Sequence, residues 1–369
     1  MNVPITSEIN INEHEWTELN NKYDKETIKN WLVQIIRYNN IPFPQTIYSI
    51  DQVKEDFLKL CEFDTQKIIS DEIFDIKQPL EKKWDKRINL LWKQSYIGNK
   101  SSNYFHEKTR FNVKRIGREY PHDVWNNDVR LKLLMNSFWS MKYKKIGKAE
   151  MKSLFRLGMY QAGQFRTTVA KGIYDYFKAK NIFDMSMGWG DRLAGFNSSK
   201  YTKNYIGTDP NTLTYNNYQK QHEFYNTGKT LIAYNKPAEE LTELPDIPID
   251  LCFSSPPYFI KEQYSSESTQ SCNRYKDLKS WLNNFLFKTL LYQYECLKHD
   301  GILAINITDV IIKGEWQEIC SPMIEYILSL NNMKYLGFMG MKISSRPALK
   351  TRKIIKGSLA EPIWVFKKE

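Results

Sequence analysis

The tetrapeptide Ser255-Pro256-Pro257-Tyr258 places two hydroxyl groups, backbone carbonyls and an aromatic ring directly after an apolar run at 249–253. That run is short and bounded by polar residues, so it predicts a buried strand. Pro256 and Pro257 lack a backbone N–H and have a fixed φ, so the strand must end there in a stiff loop. Open α/β sheets place their chemistry at the carboxyl ends of strands. The alternative is a plain strand-ending turn with a tyrosine packed on prolines.

A pair of glycines follows an earlier predicted strand at 182–187. Gly188 and Gly190 would let a ligand approach the backbone closely, and the helix that follows offers free N–H groups at its amino terminus. The dinucleotide fingerprint G-x-G-x-x-G is absent, because Leu193 stands where the third glycine belongs. The pattern therefore indicates a ligand-binding turn without naming the ligand.

An acid ends the next predicted strand, at 205–208. Asp209 stands about 20 residues after the glycine turn, as the ribose-binding acid does in nucleotide folds. In that position its carboxylate could accept both hydroxyls of a ribose. The alternative is a helix cap for the segment that begins at Asn211.

In their order and spacing these motifs resemble the S-adenosylmethionine-dependent methyltransferases that modify exocyclic amino groups of DNA. The resemblance covers 165–368 and implies S-adenosylmethionine as the cofactor, with Ser255, Pro256, Pro257 and Tyr258 as the catalytic tetrapeptide. In place of the family's acid after the third strand, this sequence has Asn235. The cofactor-binding residues that the resemblance implies are Phe165, Arg166, Asp184, Ser186, Gly188, Gly190, Asp209, Asn211 and Asn235.

The tetrapeptide has the groups that amino methylation needs. An exocyclic amino nitrogen is a poor nucleophile because its lone pair is conjugated into the base. The Ser255 hydroxyl and the Pro256 carbonyl would grip its two hydrogens and draw it towards tetrahedral geometry. Tyr258 would stack on a base flipped out of double-stranded DNA. Serine at the first position resembles the cytosine-N4 enzymes of the family more than the adenine-N6 enzymes, so the resemblance favours cytosine N4.

The region after residue 150 alternates strands and helices at the spacing of βαβ units. Seven predicted strands, together with the resemblance, imply an α/β fold with a Rossmann-like, seven-stranded methyltransferase sheet at 151–369. Residues 1–150 carry helical patterns and predict a mainly helical domain. We expect that domain to recognise nucleic acid.

That expectation depends on charge. The chain of 369 residues has a net charge of +11 and a pI near 9.1, which indicates an anionic partner. Between Lys82 and Arg118, eleven basic residues stand against two acidic ones and are interleaved with Trp and other aromatic residues. Basic groups neutralise phosphates and aromatic faces accept bases. The alternative is a solvated basic face over an aromatic core.

The five cysteines are dispersed and never in C-x-x-C spacing, which predicts reduced thiols inside a cell, with no zinc site and no metal. Cys252 lies within a strand rather than next to a proline, so methylation of a cytosine ring carbon is not expected. No apolar run reaches the length of a membrane span, so we expect a cytoplasmic protein. Two alternatives stay open: a base-amino methyltransferase acting on RNA, and a non-catalytic nucleic-acid-binding protein.

Overall fold

The computed structural model describes residues 1–76, 78–115, 119–159, 162–243, 245–343 and 357–369. These residues form two compact units. We call the first, made of Met1–Ile47 and Arg110–Gly163, the helical unit. The second, made of Tyr48–Thr109 and Gln164–Glu369, is the sheet unit.

The described residues form the following elements. The helices are α1 (Glu13–Lys22), α2 (Lys25–Tyr38), α3 (Ile50–Glu62), α4 (Asn99–Arg110), α5 (Pro121–Trp125), α6 (Asp128–Met135), α7 (Ser137–Ser140), α8 (Lys148–Gly158), α9 (Thr167–Phe177), α10 (Asp191–Ser198), α11 (Thr212–Tyr225), α12 (Ser271–Arg274), α13 (Leu278–Trp281), α14 (Phe287–Cys296) and α15 (Cys320–Ser329). The strands are β1 (Ile69–Ser70), β2 (Phe74–Ile76), β3 (Arg87–Trp92), β4 (Lys114–Arg115), β5 (Asn181–Asp184), β6 (Asn204–Thr208), β7 (Thr230–Tyr234), β8 (Ile249–Ser254), β9 (Glu262–Gln263), β10 (Leu297–Asn306), β11 (Val310–Ile312), β12 (Glu315–Gln317), β13 (Met333–Lys342) and β14 (Ser358–Lys368).

The helical unit is a cluster of amphipathic helices around an apolar core. Asp24 caps α2 and accepts hydrogen bonds from the amides of Glu26 and Thr27 at 2.9 and 3.0 Å. The apolar stripe that begins at Ile28 faces inward, as its helical spacing predicts. The core also contains Trp16, Leu32, Ile36, Leu131, Phe138 and Phe155.

The sheet unit is organised on one sheet with the order β1-β3-β13-β14-β10-β8-β5-β6-β7, with β2 beside β14. The strands β7, β6, β5, β8 and β10 are parallel and follow the doubly wound order 3-2-1-4-5. β14 is inserted antiparallel between β10 and β13. All seven predicted strands are present, so the predicted Rossmann-like α/β class is confirmed. The strand order reverses between β5 and β8, and doubly wound sheets bind ligands in the crevice at such a point.

Both faces of the sheet are covered, which explains why its central strands are continuously apolar. In β8, Leu251 and Phe253 pack on the face that α9 and α10 cover, and Cys252 packs on the opposite face, against α14 and α15. Ile173 from α9 and Leu290 from α14 belong to these two cores. The crevice is thus held between two well-packed layers.

The two units do not follow the predicted division at residue 150. Residues 48–109, expected in a separate helical domain, belong to the sheet unit and supply β1, β2 and β3. In β3, Leu91 and Trp92 are fully buried and pair in parallel with Gly340 and Met341 of β13. The short strands were missed because their pairing partners are distant in sequence and their neighbours are charged.

Candidate active site

The carboxyl end of β5 leads through a tight turn, 185–190, into α10. Gly188 and Gly190 have left-handed backbone angles, with φ of +63° and +71°, which glycine adopts without strain. A Cβ atom at Gly190 would lie 2.1 Å from Gln221 Oε1, so only glycine fits there. At Gly188 the nearest atom to such a Cβ lies 3.7 Å away. One glycine is therefore packed against the protein, and the other has space beside it.

Asp184 ends β5 inside a buried polar cluster. Its carboxylate accepts hydrogen bonds from Arg192 Nε at 2.7 Å and from the hydroxyls of Tyr205 and Ser254 at 2.5 Å each. The side chains of Asp184 and Arg192 are 0% and 4% exposed. Burial opposes the charge on Arg192, but the Asp184 carboxylate outweighs it and holds the pKa of the guanidinium above its usual value. Asp184 therefore faces the interior and links β5, β6, β8 and α10, instead of pointing into the crevice as a cofactor ligand would.

Asp209 follows β6 and is 8% exposed. Its carboxylate accepts hydrogen bonds from the amides of Asn211 and Gly188, at 2.9 and 3.0 Å, and from the Tyr218 hydroxyl at 2.9 Å. Burial raises the pKa of Asp209 from its usual 3.8 to about 6. A carboxylate offers about four acceptor positions. Three of these positions are occupied within the protein, so the Asp209 carboxylate retains capacity for one further donor.

The Ser-Pro-Pro-Tyr loop leaves β8 beside the glycine turn. The Ser186 hydroxyl donates a hydrogen bond to the Ser255 carbonyl at 3.1 Å, and the Met185 amide donates to the Ser254 hydroxyl at 2.7 Å. Pro256 is buried and Ser255 is half-buried. Because β5 and β8 are adjacent parallel strands, the sheet brings the predicted cofactor turn and the predicted catalytic tetrapeptide together.

Tyr258 is half-buried at the end of this loop, next to Pro257. Its hydroxyl donates a long hydrogen bond of 3.4 Å to the Asn306 carbonyl. Burial raises the pKa of the Tyr258 phenol well above its usual value, so the ring is neutral. The Lys261 ammonium lies 5.0 Å from the ring centroid. One edge of the ring is thus held at the end of β10, while its face contacts a cation.

Phe165 and Arg166 precede α9. The Phe165 ring lies 5.6 Å from the Phe253 ring at the end of β8, and the Arg192 guanidinium lies 5.5 Å from its centroid. Arg166 forms the amino-terminal boundary of α9, and burial lowers its pKa while the negative charge of Glu361 opposes that shift. Phe165 therefore contacts Arg192 of α10, the helix that follows the glycine turn.

Asn211 and Asn235 lie at the ends of β6 and β7. Asn211 is buried, and its side-chain Nδ2 donates a hydrogen bond to the Tyr264 carbonyl at 3.4 Å. Asn235 is exposed and donates to the Thr212 hydroxyl at 3.1 Å. Glu267, in the segment that follows the tetrapeptide, accepts from the Thr212 amide at 3.3 Å. This segment therefore reaches the start of α11, beside the predicted cofactor residues.

Four residues that hold the site were missed in the sequence. Ser254 and Arg192 carried a usable signal, because each is a polar residue beside a predicted motif: Ser254 stands between the strand predicted at 249–253 and the tetrapeptide, and Arg192 follows the glycine turn. Tyr205 and Tyr218 carried none, because a tyrosine among apolar residues reads as ordinary core. Only the folded chain brings the hydroxyls of Tyr205 and Tyr218 to Asp184 and Asp209.

The aromatic residues of the basic run 82–118 have different environments. Trp92 is 0% exposed and Phe111 is 3% exposed, so these rings belong to apolar cores and cannot stack on bases. Tyr96 and Tyr104 are 66% and 43% exposed. Stacking by the run is therefore restricted to its exposed tyrosines and half-buried rings.

The charges of the same run are also distributed among several elements. Lys83 pairs with the Glu325 carboxylate at 2.9 Å, and Arg87 pairs with Asp85 at 2.9 Å. Lys100 and Lys108 are exposed on α4. Arg118 lies outside the described residues.

No group of three or more His, Cys, Asp and Glu side chains in the described ranges could hold a metal ion. No helix of the described residues is long and apolar enough to cross a membrane.

Comparisons with known proteins found similarity in structure alone. No protein-family model matches the chain, and no curated protein matches it. Among solved structures, an rRNA methylase from Streptococcus thermophilus is 12% identical over 56% of this chain and 98% of its own, with a TM-score of 0.35. TrmN from Thermus thermophilus is 11% identical over 56% of this chain and 50% of its own, with a TM-score of 0.38. A SAM-dependent O-methyltransferase from Thermotoga maritima is 10% identical over 58% of this chain and 69% of its own, with a TM-score of 0.34.

Proposed function

We propose that this chain is an S-adenosylmethionine-dependent methyltransferase that modifies an exocyclic amino nitrogen of a DNA base, with cytosine N4 favoured over adenine N6. The observation that carries the proposal is the 3.1 Å hydrogen bond from Ser186 to the Ser255 carbonyl, at the strand-order reversal of a doubly wound sheet. It joins a turn that resembles the family's cofactor motif to a loop that resembles its catalytic motif.

The residues around the glycine turn fit the cofactor. The space beside Gly188 permits close approach to the backbone. The amide groups of the first turn of α10 have no partners within the helix, and Asp209 retains acceptor capacity for one ribose hydroxyl. Bound there, the cofactor would supply a methyl group on a positively charged sulfur.

The tetrapeptide would act on the base. The Ser255 hydroxyl and the Pro256 carbonyl would accept hydrogen bonds from the two hydrogens of the amino group, which localises the nitrogen lone pair. The prolines keep these acceptors in a fixed geometry. Tyr258 would hold the flipped base by stacking. The serine at the first position of the tetrapeptide is what favours cytosine over adenine.

Nucleic-acid binding by α4 leads to a prediction about salt dependence. Lys100 and Lys108 are exposed, whereas Lys83 already pairs with Glu325. If both α4 lysines contact phosphates, the double change Lys100→Gln and Lys108→Gln should reduce the slope of log affinity against log salt by about 1.8. Lys83→Gln is the matched control and should change the slope little. An identical slope in all three proteins would remove α4 from the interface.

Labelled cofactor distinguishes the candidate functions. The full chain is incubated with S-adenosylmethionine carrying an isotopic methyl group and with duplex DNA, single-stranded DNA or RNA. The nucleosides are then released and analysed by mass spectrometry. We expect label in N4-methylcytosine from duplex DNA. Label in N6-methyladenine would make adenine N6 the target instead of cytosine N4, and label in RNA alone would make RNA the substrate. Cofactor binding without any methyl transfer would indicate a binding protein.

A further inference from the structure

Helix α4 lies beneath the glycine turn, although its sequence pointed to nucleic-acid recognition. Its residue His106 is 1% exposed. A Cβ atom at Gly190 would come within 2.6 Å of His106 Nε2 and 2.1 Å of Gln221 Oε1. These two side chains therefore form the inner wall of the turn.

The hydrogen bonds of Gln221 determine the state of the histidine. Its amide nitrogen donates to the Gly190 carbonyl and to the Tyr225 hydroxyl, both at 2.9 Å, which uses both of its hydrogens. Gln221 Oε1 must therefore be the acceptor for His106 Nε2, 2.9 Å away. Burial lowers the pKa of His106 from its usual 6.5 to about 4, so the ring is neutral and donates through Nε2.

A second contact joins α4 to the first residue of α10. The Ser102 hydroxyl donates to Asp191 Oδ1 at 2.5 Å, and Gln164 Nε2 donates to the same oxygen at 2.7 Å. On the other side of the turn, the Tyr218 hydroxyl shares its one hydrogen between the Asp209 carboxylate and the Gly188 carbonyl, which lie 2.9 and 2.5 Å away. The Tyr218 ring lies 5.2 Å from the His106 ring. The turn is thus supported at both glycines and at the helix that follows.

We propose that His106 and Gln221 are positioning residues for the cofactor. His106 orients Gln221, and Gln221 holds the Gly190 carbonyl, so the left-handed turn keeps its shape before a ligand arrives. The inference rests on the proposed function, because the ligand of the turn is taken to be S-adenosylmethionine. It gives His106, a residue of the basic run 82–118, a role in supporting the turn that binds the cofactor.

The test uses calorimetric titration of the full chain with S-adenosylmethionine. His106→Leu fills the site without a donor, and His106→Gln restores an amide donor. His222→Gln is the matched control, since His222 lies on α11 but contacts the Lys229 carbonyl at 3.0 Å. We expect His106→Leu to raise the cofactor Kd about tenfold, as for one lost buried hydrogen bond. His106→Gln should recover most of the affinity, and the control should match the wild type. The apparent KM for cofactor should rise more than kcat falls.

The outcomes separate this inference from the proposed function. A wild-type protein that does not bind the cofactor overturns both. Wild-type binding with an unchanged Kd in His106→Leu overturns the positioning role alone. Weak binding in both the Leu and Gln variants, with lowered melting temperatures in both, indicates general packing and also overturns it. If His106→Leu does not fold, Gln221→Met removes the donor to the Gly190 carbonyl and should raise the Kd about tenfold, and an unchanged Kd in that variant overturns the positioning role.

Discussion

The glycine turn and the Ser-Pro-Pro-Tyr loop lie at the same end of the sheet but are held by different interactions. Around the turn, Asp184 and Asp209 each accept three or more hydrogen bonds from buried groups. In the loop, Tyr258 reaches the Asn306 carbonyl only at 3.4 Å, and the Ser255 carbonyl accepts one hydrogen bond from Ser186. The turn is fixed by a polar network, and the loop mainly by its prolines.

This difference corresponds to two tasks. A turn that receives a cofactor gains affinity if it is rigid before binding, because little ordering remains to oppose association. A loop whose acceptors serve the transition state needs correct geometry but must leave those acceptors to the substrate. Substitutions in the turn should therefore change stability and cofactor affinity, whereas substitutions in the loop should change the rate.

The largest effect is expected for Asp184→Ala. The change leaves the Arg192 guanidinium buried without its carboxylate, and breaking a buried pair in this way costs about 3–5 kcal/mol of unfolding free energy. Urea unfolding of the variant and the wild type measures the difference. Lys334→Ala, which breaks an exposed pair with Glu369, is the control and should cost less than about 1 kcal/mol. Equal losses in the two variants would contradict a special role for the buried pair.

Asp184 also shows how much of the site could be predicted from the sequence. The acid before the glycine turn was recognised, but its buried partners Tyr205, Ser254 and Arg192 were not, because they come from three different elements. The seven strands were predictable from short apolar runs bounded by polar turns. The strands β1 to β3 were not, because only their pairing in the sheet defines them. For Trp92 in the basic run, the sequence left base stacking and an aromatic core as alternatives, and its complete burial assigns it to the core.

Asp209 should show the next largest effect, on cofactor affinity. Asp209→Ala should weaken binding by about 1.5–3 kcal/mol, as for a hydrogen bond to a charged group. Since burial raises its pKa to about 6, the acceptor is lost as the carboxylate is protonated, and wild-type affinity should fall as the pH drops through about 6. Titrations of the wild type and of Asp209→Asn at several pH values measure this. If cofactor affinity depends on pH in the same way in the wild type and in Asp209→Asn, Asp209 is excluded as the titrating group.

The shifted pKa also has a consequence for stability. A carboxyl group with a folded-state pKa of about 6 and an unfolded value near 3.8 binds more protons in the folded state. Its contribution to the unfolding free energy therefore falls as the pH rises from about 4 to 6, by roughly 2–3 kcal/mol. Asp209→Asn should lose this part of the pH dependence. Urea unfolding at pH 4.5 and 7 compares the two proteins.

Ser255→Ala tests the loop side of the comparison. If the hydroxyl acts on the amino group only as the nitrogen becomes tetrahedral, turnover should fall by roughly tenfold or more. Cofactor affinity should change little, because the network around Asp184 and Asp209 is untouched. Single-turnover methylation gives the rate and calorimetry gives the affinity. A variant that loses affinity but keeps its rate would reverse the assignment of tasks.

The smallest effect is expected for Tyr258→Phe, and its value lies in the contrast with Tyr258→Ala. The phenylalanine keeps the ring face that would stack on the flipped base and loses the long hydrogen bond to the Asn306 carbonyl. Single-turnover rates on matched duplexes should therefore stay within about threefold of the wild type, since such bonds contribute little net free energy. Alanine removes the face itself and should cost about 1–3 kcal/mol in productive DNA binding. Equal loss in both variants would assign the phenol, rather than the ring, to the reaction. Full activity in both Tyr258→Ala and Ser255→Ala would mean that the loop is only the end of β8.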